Sequence, residues 1–148
     1  MTQSNTMTEP EFEPLFHQIN YKAGQYIASH YNPDVPVKER FITWWISFAT
    51  NANDNPFDVV YMEQIATSHL YPYMGTQTST AFFKESRVIL AQGQAEGLIK
   101  NLDISFLNQF IRATVTSMIK THISIGKTLT KEQIETMITI CWDGIKTS

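Results

Sequence analysis

Two segments decide the fold of this chain: ISFLNQFIRATVTSMIKTHISIG at residues 104–126 and TKEQIETMITICWDGIK at residues 130–146. In both segments, apolar residues recur every three or four positions, which is the spacing of one face of an α-helix. Thr130 and Gln133 form a Thr-x-x-Gln capping box, which predicts the start of the second helix. The chain is therefore predicted to end in two amphipathic helices.

We predict that these two helices pair with the same helices of a second copy. Helix pairs with matching apolar faces suit a symmetric dimer in which four helices form the interface. The candidate interface residues are Met118, His122, Ile125, Ile134, Met137, Ile138, Cys141, Trp142 and Ile145. Cys141, the single cysteine, cannot form a disulfide within the chain, and its place on the apolar face predicts a small buried side chain.

The residues before these helices also predict helices. Helical spacing of apolar residues covers four further segments, at about 14–31, 37–51, 57–70 and 78–96. The segment 37–51 is apolar nearly all round, so we expect it to cross the middle of the domain. Residues 1–10 are polar and predict a flexible lead-in. Because no segment alternates with a period of two, the sequence predicts an all-α fold of six helices, forming a single domain over residues 1–148.

Composition and charge exclude several classes of protein. The net charge of the 148 residues is −3 and the basic residues are scattered, so the basic surface of a nucleic-acid-binding protein is missing. No apolar run is long enough to span a membrane, and the polar start of the chain is unlike a secretion signal. We therefore expect a soluble, cytoplasmic protein without a membrane partner.

The aromatic residues of the middle helices are candidates for the lining of a ligand cavity, because small-molecule sites are largely apolar with a few placed polar groups. The chain has nine Phe, six Tyr and three Trp residues. The candidate apolar lining is Trp44, Trp45, Phe48, Tyr61, Phe82, Phe83 and Phe110. The candidate orienting groups are Gln64, His69, Ser86 and Thr114. The alternative is that all these residues belong to an ordinary core.

Neither catalysis nor a cofactor is predicted. The four histidines His17, His30, His69 and His122 lie far apart in sequence without paired metal-ligand spacing, and no cysteine cluster joins them. No nucleophile elbow, phosphate-binding glycine loop or dinucleotide fingerprint occurs. We therefore expect no metal site, no catalytic residue and no enzymatic activity.

In the order of these segments, residues 14–146 resemble the carboxy-terminal regulatory domain of TetR-type transcriptional repressors. The resemblance rests on packing and turn residues, namely Arg40-Phe41 with Trp44 or Trp45, Pro56-Phe57, the segment from Gly93 to Lys100, and Trp142-Asp143-Gly144-Ile145. It implies a six-helix domain that binds a small, apolar or aromatic effector among its middle helices and forms a homodimer through its last two.

In that family a DNA-binding head precedes the regulatory domain. The Tyr-x-His-Phe ending of its recognition helix has no counterpart before Phe16. We therefore expect DNA contact only through a head domain that is not present in this chain, which is either a headless relative or a fragment of a longer regulator. The alternative function is a structural or heterodimerising interaction module without a small-molecule ligand.

Overall fold

Capping and turn residues divide the chain into helices close to the positions that the sequence predicts. The computed structural model describes residues 9–66 and 82–148. Within these ranges lie α1 (Glu9–Ser29), α2 (Val37–Asp54), α3 (Pro56–Ala66), α4 (Lys84–Ala95), α5 (Ile104–Ser124) and α6 (Lys131–Ile145). The described residues hold no strand, and their one extended pairing is a single bridge between Ile99 and Lys146. The all-α prediction is confirmed.

The predicted start of α6 and end of α4 are also confirmed. The Thr130 hydroxyl accepts a hydrogen bond from the Gln133 backbone N–H at 3.1 Å, and the Gln133 side chain accepts one from the Thr130 N–H at 2.9 Å. Gly97 follows α4 with a φ of +74°, a left-handed conformation that favours glycine. These local signals fix both helix ends without help from distant residues.

Helix α1 begins at another residue than predicted. Helix α1 starts at Glu9 rather than near Pro14. Because Pro14 lacks only its own backbone N–H, the turn of helix that precedes it can still form. The predicted start of the fourth segment, near residue 78, lies outside the described residues; within them, Phe83 lies in a turn and helix α4 begins at Lys84. The turn allows the adjacent rings of Phe82 and Phe83 to reach Phe48, at centroid distances of 6.2 Å and 5.5 Å.

Helix α2 lies at the centre of the fold, as its apolar sequence predicts. It packs against each of the other five described helices. Phe41, Trp45 and Ala49 are fully buried along it, and Trp44 is nearly so. Burial of large aromatic side chains provides most of the stabilisation in such a core.

The apolar face of α6 packs against α2 and not against solvent. The ring of Trp142 lies 5.3 Å from that of Phe41, measured between centroids. All six of the candidate interface residues on this helix are buried, namely Ile134, Met137, Ile138, Cys141, Trp142 and Ile145. This burial places most of these side chains in the core of their own chain, while Met137 also lines a groove between α5 and α6, so their part in a pairing surface stays a prediction.

The end of α2 is joined to the loop between α5 and α6 by one amide side chain. Asn53 Nδ2 donates to the Leu129 carbonyl oxygen at 2.9 Å, and the Leu129 N–H donates to Asn53 Oδ1 at 2.9 Å. Both residues are buried. The pair therefore satisfies two backbone groups that no water reaches.

Candidate ligand-binding cavity

A cavity of about 140 Å³ lies between α1, α2, α3 and α5, beside the turn that precedes α4. Helical spacing explains which side chains reach it. Phe16, Ile19 and Ala23 form one face of α1, and Thr116 and Ile119 lie on the matching face of α5. Further apolar side chains come from α2, α3 and the turn, namely Phe48, Ala52, Val59, Met62, Phe82 and Phe83.

Two buried tryptophans pack behind the aromatic side chains that line the cavity. The Phe82 and Phe83 rings meet edge to face, with centroids 4.9 Å apart. Trp44 stacks on Phe48 at 5.9 Å with an interplanar angle of 9°, and Trp45 contacts Phe83 at 6.0 Å. Because both tryptophans are buried, they hold the wall in place without facing the cavity themselves.

The polar side of the cavity contains two acids, and each has a lysine beside it. Asp58 Oδ2 lies 3.5 Å from Lys22 Nζ, which joins α3 to α1. Lys120 Nζ donates to Glu63 Oε1 at 2.7 Å, which joins α5 to α3. The carboxylates in the wall are therefore countered by cations that the fold itself supplies.

Two donors in the same wall lack such partners. Arg112 Cζ lies 5.8 Å from the centre of the Phe83 ring, and no described carboxylate lies within ion-pair distance of its guanidinium group. Asn20 also lines the cavity, and its Nδ2 is buried with no hydrogen-bond partner among the described residues. The cavity is therefore an apolar space with a cation and an amide donor in its wall.

A second surface feature is a groove between α5 and α6. Thr114, Met118, Thr136 and Ile140 line it, with Leu129 at one end. Ile140 is 65% exposed and Met118 is 42% exposed. Large apolar side chains exposed along two adjacent helices are typical of a protein–protein contact.

The match to a family model covers residues 36–146, and that model is described as tetracyclin repressor-like, C-terminal domain. This range is more than half of the chain. The chain belongs to the TetR family. The fold of this TetR-family domain is the one that its sequence resembles. The aromatic helix α2 lies within the matched range.

Two solved structures share this TetR-family fold. A protein described as a TetR-family transcription regulator from Shewanella sp. PV-4 is 15% identical, with a TM-score of 0.75 over 93% of this chain and 74% of that one. A second from Vibrio parahaemolyticus is 20% identical, with a TM-score of 0.71 over 92% and 74%. At these identities the likeness shows the fold alone. Comparison with curated proteins found no match.

The structure brings some of the predicted lining residues of this TetR-family domain together. Phe48, Phe82 and Phe83 line the cavity, whereas Trp44 and Trp45 lie behind the wall. Tyr61 packs against Phe16 and Ile65 instead, and burial raises the pKa of its hydroxyl. His69 lies outside the described residues.

The other predicted lining residues lie elsewhere. Gln64 is exposed on α3, and Phe110 is 52% exposed on the outer side of α5. The buried Ser86 hydroxyl lies 2.8 Å from the Phe83 carbonyl oxygen and 2.7 Å from Asn108 Oδ1, either of which can accept its one proton, so Ser86 serves the core. Thr114 donates to the Phe110 carbonyl and faces the groove between α5 and α6. Helical spacing identified apolar faces but not which neighbour each face meets.

Sequence reasoning missed the contributions of α1 and of Arg112. Phe16, Ile19 and Ala23 do follow helical spacing, but nothing in the sequence shows that this face lies over α3 and α5. Arg112 had a visible signal, because it is the one charged residue between Asp103 and Lys120. A charged side chain in an otherwise apolar or uncharged stretch of helix is rarely buried unless it has a partner.

Three further observations concern the part of the chain that the structure describes. No group of three or more His, Cys, Asp and Glu residues there could hold a metal ion. Burial raises the pKa of the Cys141 thiol, which keeps it in the unreactive neutral form. None of the helices in these ranges combines the length and the apolar composition that crossing a membrane requires.

Proposed function

We propose that this domain senses a small, mostly apolar effector and forms a homodimer within a TetR-type transcriptional regulator. The observation that carries the proposal is the cavity between α1, α2, α3 and α5. Apolar walls with a few polar groups are typical of small-molecule sites. A volume of about 140 Å³ matches that of cavities that hold a single benzene ring in other proteins.

Exposed side chains on α5 and α6 support the pairing of two copies. Phe110, Met118 and Ile140 present apolar surface. The last two line the groove, whose other lining residues are uncharged apart from Glu132. Two such helix pairs, related by a twofold axis, can form a four-helix interface. Of the residues predicted for this interface, Met118 and Ile125 are exposed and His122 is partly exposed.

We propose that effector binding to this domain regulates DNA binding by a head domain. Contact with DNA is not expected from this domain itself, since it carries a net charge of −3 and no basic cluster in its sequence. An effector in the cavity changes the spacing of two heads only if it binds one dimer arrangement more tightly than the other.

Native mass spectrometry of the gently purified protein tests both parts of the proposal. We expect a dimer that carries a co-purifying small molecule. A bare dimer would call for a thermal-shift screen of aromatic compounds. If no compound shifted the melting temperature, the interaction module without a ligand would be favoured. A bare monomer at micromolar concentration would contradict the pairing.

The position of the interface is tested by Ile140→Glu, with Phe57→Glu as the matched control. Both side chains are large, apolar and exposed, at 65% and 87%, but Phe57 lies on α3 outside the groove. Light scattering should show a monomer for Ile140→Glu and a dimer for Phe57→Glu, with equal helicity by circular dichroism. Dimers of equal stability for both variants would place the interface elsewhere.

A further inference from the structure

The charge balance of the cavity points to the chemistry of its ligand. Asp58 and Glu63 each have a lysine partner, whereas Arg112 has no described carboxylate to pair with. A partly buried guanidinium group is more stable with an anion beside it, and its planar fork binds a carboxylate through two parallel hydrogen bonds. The cavity can therefore accommodate one negative charge at Arg112.

A second observation on another helix leads to the same conclusion. Asn20 lies on α1, opposite α5, and its buried Nδ2 has no partner among the described residues. A buried donor without an acceptor is costly, and most buried polar groups in native proteins are satisfied. A ligand oxygen can accept from Asn20 and Arg112 together, since both side chains line one small cavity.

The remaining walls restrict the body of the ligand. Phe48, Phe82 and Phe83 supply ring faces and edges, which favour contact with another aromatic ring. The volume of about 140 Å³ suits one ring with a short substituent.

We propose that the ligand of this cavity is a monoaromatic monocarboxylate, with its carboxylate on Arg112 and Asn20 and its ring against the three phenylalanines. This inference rests on the proposed function, because it names the ligand class of the same cavity. One cation and one neutral donor balance a single negative charge, which favours a carboxylate over a dianionic phosphate. An aromatic amine would instead meet the positive charge of Arg112.

Isothermal titration calorimetry of the full chain with benzoate, benzamide and benzylamine tests the proposal. We expect benzoate to bind at least tenfold more tightly than benzamide, which has nearly the same shape without the charge, and benzylamine not to bind. Arg112→Met keeps an apolar stem against Phe83 and should weaken benzoate binding about tenfold to a hundredfold, the usual range for a hydrogen bond to a charged group. Arg87→Met, which removes a partly buried arginine of α4 outside the cavity, is the matched control and should bind like the unmodified chain.

The outcomes separate this inference from the proposed function. Equal affinity for benzoate and benzamide, or an Arg112→Met variant that binds benzoate as tightly as the unmodified chain, would overturn the carboxylate while leaving an apolar site in place. Binding of none of the three probes would also overturn it, and co-purified mass in the native spectrum would then decide whether the cavity binds another class of ligand. The comparison of benzoate with benzamide needs no variant, so it holds even if Arg112→Met fails to fold.

Discussion

Replacing Asn53 with alanine should destabilise the domain more than its single position at a helix end suggests. Asn53 is 8% exposed and forms two hydrogen bonds of 2.9 Å, one to the N–H and one to the carbonyl of Leu129. Alanine removes both partners at once and leaves two buried backbone groups without hydrogen bonds. Each such group costs about 1–3 kcal/mol, so the expected loss is about 2–6 kcal/mol.

That loss is a large fraction of the 5–15 kcal/mol by which a domain of this size is usually stable. Urea unfolding followed by circular dichroism at 222 nm measures it directly. Asn101→Ala is the control, because Asn101 is exposed in the loop before α5, and a surface change of this kind costs about 0.5 kcal/mol or less. If Asn53→Ala unfolded within 0.5 kcal/mol of the control, the reasoning from buried unpaired groups would be refuted.

The substitution Asn53→Asp tests the two hydrogen bonds separately, because the bond to the Leu129 carbonyl can form only when the new carboxyl is protonated. The carboxylate keeps the acceptor for the Leu129 N–H but faces the Leu129 carbonyl without a proton to donate. Burial and this carbonyl should raise the pKa of the new carboxyl in the folded state above its ordinary value of about 4. The stabilising, protonated form is then complete at low pH and is lost as the pH rises through the raised value, so the deficit against the unmodified chain should be smaller at pH 4 than at pH 8.

Three further outcomes are expected. Trp142→Glu should unfold the chain rather than release a folded monomer, as measured by thermal circular dichroism, because Trp142 is 5% exposed and truncating such a ring alone costs about 3–5 kcal/mol. Gly97→Ala should cost about 1–2 kcal/mol in urea unfolding because of its φ of +74°, whereas Gly144→Ala, in helix α6 with open space around it, should be neutral or stabilising by up to about 1 kcal/mol. Burial, with a hydrogen bond to Glu85 and the charge of that residue, raises the pKa of Tyr31, so its contribution to stability is complete below pH 10 and is lost above it. The free energy of unfolding should fall less steeply from pH 9 to pH 12 in Tyr31→Phe.

The sequence predicts the helices of this domain well because their signals are local. The capping box at Thr130 and the left-handed Gly97 act through backbone groups a few residues away, so no tertiary information is needed. The apolar periodicity of α6 was equally clear, and most of this apolar face packs against α2 of its own chain. Periodicity shows that a face is apolar, and it does not show whether Trp142 meets Phe41 of its own chain or a second copy.

The cavity is harder to predict because it depends on contacts between residues far apart in the sequence. Asn20 and Arg112 face one space only because α1 and α5 both pack beside α2 and α3. The aromatic residues mislead for a related reason. Adjacent tryptophans on α2 suggest a pocket, but Trp45 is fully buried behind Phe83, and the smaller rings reach the open space.

The arrangement of α2 and α5 offers a mechanical link between the proposed ligand and the proposed dimer. Asn51 and Ala52 line the cavity, and the next residue, Asn53, holds Leu129 at the edge of the groove between α5 and α6. Because two hydrogen bonds clamp this junction, a displacement of the end of α2 must either move the loop with it or break both bonds. A ligand can therefore alter pairing only by the difference in its affinity for the two positions of α2, and Asn53→Ala should uncouple ligand binding from dimer stability even where each still occurs.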